Sequence, residues 1–194
     1  MIIDINKTPI QITTNKNKKR EEKFLHWLKI CKEKNSIRQV SNVGGIQTEN
    51  FPLSMIKDSF KQDIDQYLNS FNKKCNFKWK INGCWVNENY YGDFNMPHNH
   101  AASNSQFSGI WYLKCPHNSG KLIFLNNANN SDYSLLFDFI DDPLSWVNYS
   151  VIPEQHQLVL FPSFLVHLVE PSKSKENRIS VAFNIELIKL LDND

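Results

Sequence analysis

The second part of the chain is a series of short segments rich in branched and aromatic residues, separated by clusters of polar turn residues. Val, Ile, Phe, Tyr and Trp favour extended strands, whereas Asn, Ser, Gly and Pro favour the turns between them. Six segments have this composition: residues 77–87, 107–114, 120–125, 157–161, 164–170 and 178–188. Because no helical pattern separates these segments, they predict a mainly β protein, an antiparallel sandwich or jelly roll.

The first part of the chain has a helical pattern. Residues 20–34 and 53–71 place apolar side chains at helical spacing, with charged side chains opposite. Between them, Gly44 and Gly45 predict a turn over residues 41–47, because glycine adopts positive φ without steric cost. We therefore expect a single domain over residues 1–194. In it, residues 1–76 give helical support on the outside and residues 77–194 form the β-barrel core.

Charge and hydropathy do not favour a nucleic-acid or a membrane partner. The chain has 22 basic and 20 acidic residues, a balance that favours neither a nucleic-acid nor a membrane partner. The basic run at residues 16–20 is interpreted as solvated. No apolar run approaches the ~18–20 residues of a membrane span, and residues 1–6 do not have the pattern of a secretion signal. We expect a cytoplasmic protein, and the oligomeric state stays open, a homodimer included.

The cysteines and the common catalytic motifs give no further site. Cys31, Cys75, Cys84 and Cys115 have no C-x-x-C spacing, so we expect reduced and mostly buried thiols. The chain also has no phosphate-binding glycine loop and no G-x-S-x-G motif. Nucleotide binding through such a loop and nucleophilic hydrolysis are therefore not supported.

Three histidines are the strongest candidates for a metal site. His98 and His100 are separated by one residue, so on an extended backbone their side chains point to the same face. His167 lies in an apolar strand segment, where a buried imidazole needs a partner. In a jelly roll, strands distant in sequence meet, and three nitrogen ligands with open positions suit Fe(II), although imidazole also binds Zn, Cu and Ni. A hydrogen-bonded core histidine and a solvated pair remain alternatives at this point.

Arg178 is the only arginine after Arg38. The segment that it begins alternates between apolar and polar positions, so Arg178, Ser180 and Asn184 are predicted to face the barrel interior. An unpaired buried charge costs several kcal/mol, so an inward arginine needs an anion. A small-molecule carboxylate would accept two hydrogen bonds from it. A salt bridge to Glu88 or Asp93 is the alternative.

These features, in one consistent order, carry a resemblance to a known family. The matching stretches are residues 41–47, 85–87, 97–100, 107–113, 118–120, 160–167 and 178–180. The set resembles the 2-oxoglutarate/Fe(II)-dependent oxygenases, especially a small branch found in phages and bacteria. The resemblance implies a double-stranded β-helix, a cupin-like jelly roll, with iron at one mouth.

The resemblance also implies the metal ligands. His98 and His167 match the first and last ligands of the family's triad. His100 stands where the middle ligand is normally Asp or Glu, a departure from the two-histidine, one-carboxylate pattern. We assign His100 as the third ligand, which leaves the metal site one charge unit more positive, and keep Asp93 as the fallback carboxylate.

For the co-substrate, Arg178 matches the basic residue that binds the distal carboxylate of 2-oxoglutarate, and Ser180 completes an R-x-S pattern. Tyr112, Asn87 and Asn184 are looser candidates for contact with the same molecule. The implied activity is hydroxylation of an unidentified small-molecule or peptidyl substrate with Fe(II), 2-oxoglutarate and O₂, releasing succinate and CO₂.

Two alternatives stay open. One is a three-histidine cupin-type dioxygenase that does not use 2-oxoglutarate, in which Arg178 is structural. The other is a non-enzymatic jelly-roll module, metal-binding or virion-associated. A structural zinc there would need a fourth ligand, from His117, His156 or a cysteine. The primary substrate cannot be identified from the sequence. We expect it to be selected by loops at the barrel mouth, including residues 126–157 with Trp146 and Tyr149.

Overall fold

The structure is a computed structural model that describes residues 8–56, 59–125 and 148–190. Two β-sheets contain most of its regular secondary structure. The helical segments are α1 (Lys18–Glu33), α2 (Lys61–Asn69) and 3₁₀ turns at Leu53–Met55 and Ala101–Ser103. The strands are β1 (Gln11–Thr14), β2 (Ile37–Arg38), β3 (Asn42–Val43), β4 (Ile46–Thr48), β5 (Phe77–Asn89), β6 (Phe94–His98), β7 (Phe107–Lys114), β8 (Leu122–Leu125), β9 (Asn148–Val151), β10 (Gln157–Pro162), β11 (His167–Val169) and β12 (Arg178–Lys189).

The larger sheet has the strand order β1-β10-β7-β12-β5-β4-β2, and the smaller sheet has the order β3-β6-β11-β8-β9. Every pairing within them is antiparallel, as the sequence predicts. The six predicted strand segments all form strands, with boundaries that differ by up to three residues. The mainly β class is therefore confirmed.

Strand β12 divides the interior into two parts. Its apolar face joins a large core that contains Phe24 of α1 and Ile64 of α2. Within this core, the ring of Phe60 stacks on Phe183 with centroids 4.4 Å apart. The opposite face of β12 looks toward the smaller sheet, across a second core that includes Phe124 and Phe161. The alternation in the sequence thus places Arg178 and the polar residues after it between the sheets.

The first 76 residues are not only helical support. Strands β1, β2 and β4 join the larger sheet and β3 joins the smaller one. These strands have two to four residues, too few for a period-2 pattern to be detected in the sequence. The predicted helix over residues 53–71 is also wrong in length. This segment instead contains a 3₁₀ turn and, after it, the shorter helix α2. Ser59 lies between the two, and serine is favoured at helix caps over helix interiors.

The turn at Gly44 and Gly45 is confirmed, with φ of +69° and +63°. A Cβ atom at Gly44 would lie 2.1 Å from Oδ1 of Asp93, so the Asp93 carboxylate occupies the space that the glycine leaves. All four cysteines are free, with Cys31 and Cys84 buried, Cys115 half-buried and Cys75 exposed. No helix in the described segments is long and apolar enough to cross a membrane.

Candidate functional site

Three histidines from two parts of the chain meet between the sheets. His98 ends β6 and His167 begins the neighbouring β11, and the two residues face each other in the register. His100 lies two residues beyond the end of β6 and immediately precedes the 3₁₀ turn at Ala101–Ser103. One ring nitrogen from each lies within 4.8 Å of the others. Among the described residues, these three form the only such group of His, Cys, Asp or Glu side chains.

Each of the three imidazoles is oriented by a carbonyl oxygen at its Nδ1. The acceptors are Met96 O for His98 (2.7 Å), Asn184 Oδ1 for His100 (2.7 Å) and Leu165 O for His167 (2.9 Å). A carbonyl oxygen only accepts, so each Nδ1 carries the ring proton and each Nε2 keeps its lone pair. Histidine ligands of metals are oriented in the same way, with the non-ligating nitrogen donating to a carbonyl or carboxylate.

Burial keeps the cluster neutral. Desolvation lowers the pKa of His98, lowers that of His100 to about 4 and lowers that of His167 to about 3. The proximity of His98 lowers the pKa of the other two further, because neighbouring imidazolium charges repel. At neutral pH the three rings are therefore uncharged, which is the form that binds a metal cation.

The three histidines line a cavity between the two sheets. Its other walls come from Ser41, Gln47, Trp85, Asn87, Asn95, Gly109, Ile110, Tyr112, Phe161, Val169, Arg178, Ser180 and Ala182. Arg178 is the one charged side chain in this set, since the three imidazoles are neutral. Among the described residues, the cavity walls thus carry a group of three metal-binding imidazoles and a single cation.

The strand register arranges the wall of the larger sheet in rows. Tyr112, Ser180, Asn87 and Gln47 are neighbours across β7, β12, β5 and β4 and form a polar row. The next row, Ile110, Ala182 and Trp85, presents apolar side chains. Because backbone pairing determines these rows, it also determines the position of each side chain along the strand direction of the cavity wall.

Arg178 is 2% exposed and lies beside the polar row. Its Nη1 donates to the carbonyl oxygens of Ser119 (3.1 Å) and Gly120 (3.3 Å), and its Nη2 donates to Oδ1 of Asn89 (2.9 Å). Its Nε is buried without a hydrogen-bond partner in the described structure. Three of its five N–H groups are used, so Arg178 is a buried cation with neutral partners and with N–H groups left free, that of Nε among them.

The two acids considered as its salt-bridge partners are engaged elsewhere. Glu88 pairs with Lys32, with Oε2 2.8 Å from Nζ. Oδ2 of Asp93 accepts the backbone N–H of Tyr90 at 2.7 Å. Within the described segments no carboxylate forms an ion pair with Arg178. Asp93 also lies outside the histidine group, so the fallback carboxylate ligand is not supported.

Most of the residues predicted from the sequence line the cavity: His98, His100, His167, Arg178, Ser180, Tyr112 and Asn87. Asn184 does not; its Oδ1 accepts from His100 instead. Like Nε of Arg178, Oδ1 of Asn87 is buried and has no hydrogen-bond partner among the described residues.

Sequence reasoning missed four residues of the cavity wall whose side chains can form hydrogen bonds: Ser41, Gln47, Trp85 and Asn95. Ser41 lies 3.3 Å from Nε2 of His98 and accepts from Nδ2 of Asn95 at 3.2 Å. The ring of Trp85 stacks on that of His100, with centroids 5.6 Å apart. Gln47 completes the polar row. Ser41, Gln47 and Trp85 lie in stretches that carry the family resemblance, so a signal was present; Asn95 had none.

The remaining histidines do not complete a four-ligand zinc site. Nδ1 of His156 lies 3.0 Å from Oε1 of Glu21. His117 lines a separate surface cavity that also contains Cys115. Neither belongs to the histidine group in the described part of the chain. Among the described residues, the three imidazoles thus form a site with open coordination positions rather than a closed four-ligand site.

Comparison with solved structures shows which fold these sheets form. A viral collagen prolyl hydroxylase from Paramecium bursaria Chlorella virus-1, in complex with 2-oxoglutarate, superimposes with a TM-score of 0.58 at 16% identity, covering 91% of this chain and 94% of its own. A Trichoplax adhaerens prolyl hydroxylase bound to a hypoxia inducible factor peptide gives 0.57 at 14% identity, with 93% and 83% covered. HygX from Streptomyces hygroscopicus, with nickel, 2-oxoglutarate and hygromycin B bound, gives 0.56 at 12% identity, with 92% and 83% covered. The predicted double-stranded β-helix is therefore confirmed.

Sequence comparison identifies the family. No curated protein matches the chain. The sequence profile of the family described as "Putative 2OG-Fe(II) oxygenase" matches residues 83–184, just over half of the chain. The matched range contains the three histidines, the buried arginine and all the other predicted site residues. The chain thus belongs to the 2OG-Fe(II) oxygenases, enzymes that use Fe(II), 2-oxoglutarate and O₂.

Proposed function

We propose that His98, His100 and His167 hold Fe(II) through their Nε2 atoms and that Arg178 binds the distal carboxylate of 2-oxoglutarate in the same cavity. The observation that carries this assignment is that three neutral imidazoles line the same cavity as one buried guanidinium, which has no carboxylate partner among the described residues. Imidazole nitrogens suit Fe(II), and three protein ligands leave coordination positions free for further ligands.

The residues around Arg178 fit a carboxylate. A carboxylate only accepts hydrogen bonds, and the free Nε of Arg178 is a donor. Ser180 and Tyr112 are neighbours in the polar row, and each carries a hydroxyl that can donate to the same group. We assign Asn87, the next residue of the row, as a further contact through its amide. Placing the anion here neutralises a charge whose isolation costs several kcal/mol.

When bound, Fe(II) supplies the oxidising chemistry that couples decarboxylation of 2-oxoglutarate to hydroxylation, with release of succinate and CO₂. The chain contributes position and environment. The carbonyl acceptors at Nδ1 keep the three Nε2 atoms free of protons. The apolar row, together with Phe161 and Val169, lines the space between the metal ligands and Arg178 with apolar side chains.

For the primary substrate we propose a small molecule or a peptidyl residue. Support comes from relatives of the same fold, one crystallised with a peptide fragment and another with hygromycin B. The amide of Gln47 on the cavity wall offers both a donor and an acceptor to an uncharged group.

A turnover assay tests the proposal. Purified protein is supplied with Fe(II) and 2-oxoglutarate under air, and succinate is measured with and without the Arg178→Met substitution. Arg38→Met is the matched control, because it removes an exposed arginine outside the cavity. We expect slow succinate formation by the wild type and by Arg38→Met, and a large loss with Arg178→Met. Equal turnover by all three proteins would contradict the role of Arg178 and favour an oxygenase site that does not depend on this arginine.

A further inference from the structure

Asn184 is a buried amide whose oxygen accepts two hydrogen bonds. Nδ1 of His100 donates to its Oδ1 at 2.7 Å, and the Ser108 hydroxyl donates to the same atom at 3.1 Å. Asn184 is 5% exposed and Ser108 is 1% exposed, so water does not compete for these bonds. The amide is therefore held toward His100 from behind the cavity wall.

The direction of the hydrogen bonds follows from their chemistry. Since Oδ1 of Asn184 only accepts, the Ser108 hydroxyl must donate its single proton to it. The Ser163 hydroxyl, 2.7 Å from that of Ser108, must then donate to it. The backbone carbonyl of Ser163 also accepts the N–H of His100 at 2.8 Å. The same small network thus holds the ring and the backbone of His100.

The supports of this network are rigid. Asn184 and Ser108 are register partners on β12 and β7, and Ser163 follows the next strand, β10. On the cavity side, the His100 ring stacks on Trp85 with an interplanar angle of 14°. The plane of the imidazole and the direction of its Nδ1–H bond are therefore both determined by residues of the larger sheet.

We propose that Asn184 is the positioning residue that fixes His100 with its proton on Nδ1 and its Nε2 toward the metal, and that it makes this position specific for imidazole over carboxylate. The inference rests on the proposed function. A carboxylate at position 100 would meet the Asn184 oxygen acceptor to acceptor, whereas an imidazole N–H completes the network. Asn184 therefore contributes through His100 rather than by contacting 2-oxoglutarate, the role that the sequence suggested.

The test is metal affinity in the absence of 2-oxoglutarate. Co(II) is titrated into wild-type protein and into Asn184→Leu, Asn184→Asp and Ser108→Ala, and the ligand-field absorption of bound Co(II) is followed. Loss of a partner that orients a metal-binding histidine typically weakens affinity about 10- to 100-fold, which we expect for Asn184→Leu. Asn184→Asp keeps a hydrogen-bond acceptor for His100, so it should bind Co(II) at least as tightly as the wild type. Ser108→Ala should give a smaller loss, because His100 keeps its acceptor.

Asn177→Leu is the matched control, because Asn177 bonds to Lys114 and Glu88 away from the histidines. It should bind Co(II) as the wild type does. Wild-type affinity in folded Asn184→Leu would overturn the inference and leave the proposed function intact. Absence of Co(II) binding in the wild type would instead overturn the proposed function, and this inference with it.

A second measurement needs neither a variant nor a metal. Long-range ¹H–¹⁵N correlation spectra of the metal-free wild type distinguish the two neutral tautomers of each histidine. The network predicts that His100 carries its proton on Nδ1. A proton on Nε2 would mean that Asn184 presents its NH₂ group to the ring, and would overturn the inference.

Discussion

Replacing Arg178 by methionine should abolish tight binding of 2-oxoglutarate while leaving the metal site intact. The substitution keeps much of the apolar stem but removes the guanidinium, which is 2% exposed and has no carboxylate partner in the described structure. Removing one partner of a buried, hydrogen-bonded charge pair costs about 2–5 kcal/mol. This corresponds to about a 30- to 5,000-fold increase in Kd at 25 °C.

The same substitution also has a structural cost. The carbonyl oxygens of Ser119 and Gly120 and the side-chain oxygen of Asn89 lose their donor. A buried acceptor without a partner costs about 1–3 kcal/mol. Removal of an uncompensated buried cation offsets part of this loss. The stability of the variant must therefore be measured separately. Arg178→Lys keeps the charge but cannot bind a carboxylate in the bidentate manner of arginine, so it should lose less affinity for 2-oxoglutarate than Arg178→Met.

The assay is calorimetric titration of 2-oxoglutarate into protein saturated with Mn(II), together with a separate Mn(II) titration. We expect the Kd for 2-oxoglutarate to rise at least about 30-fold in Arg178→Met, with Mn(II) affinity nearly unchanged. Arg38→Met should behave as the wild type. If folded Arg178→Met binds 2-oxoglutarate as tightly as the wild type, the assignment of this arginine to the co-substrate is wrong.

Four further substitutions test other parts of the account. His98→Ala and His167→Ala should each abolish Mn(II) binding by titration while circular dichroism stays unchanged, since each removes one of three ligands; retained affinity would remove that residue from the metal site. His100→Asp should weaken Mn(II) binding, because the carboxylate would face the oxygen of Asn184; equal or tighter binding would show that imidazole is not required there. Gly109→Ala should lower the free energy of unfolding by about 1–3 kcal/mol, because its Cβ would lie 2.3 Å from the Phe183 ring; unchanged denaturant midpoints would show that the core can adjust.

The long strands and the position of Arg178 could be predicted because they follow from alternation. In β12, a period-2 pattern over a strand of 12 residues determines which side chains face the interior. The same logic predicted that His98 and His100 lie on one side of the chain. Their meeting with His167 needed the topology, since β6 and β11 pair across a large separation in sequence.

Features that depend on tertiary contacts were not predicted. The two-residue strands β2 and β3 have no periodicity of their own and exist because longer neighbours offer them an edge. The role of Asn184 depends on which side chain lies opposite it, and alternation alone placed it in the cavity with Ser180. Trp146 and much of the loop expected to select the substrate lie outside the described residues, whereas Tyr149 lies in β9, part of the smaller sheet.

A crystal structure of the protein grown anaerobically with Mn(II) and 2-oxoglutarate tests the central assignment most directly. We predict one metal ion about 2 Å from Nε2 of His98, His100 and His167, as is usual for metal–imidazole bonds. The distal carboxylate of 2-oxoglutarate should accept from Nε of Arg178. A metal ion bound elsewhere, or a carboxylate that does not contact Arg178, would contradict the account.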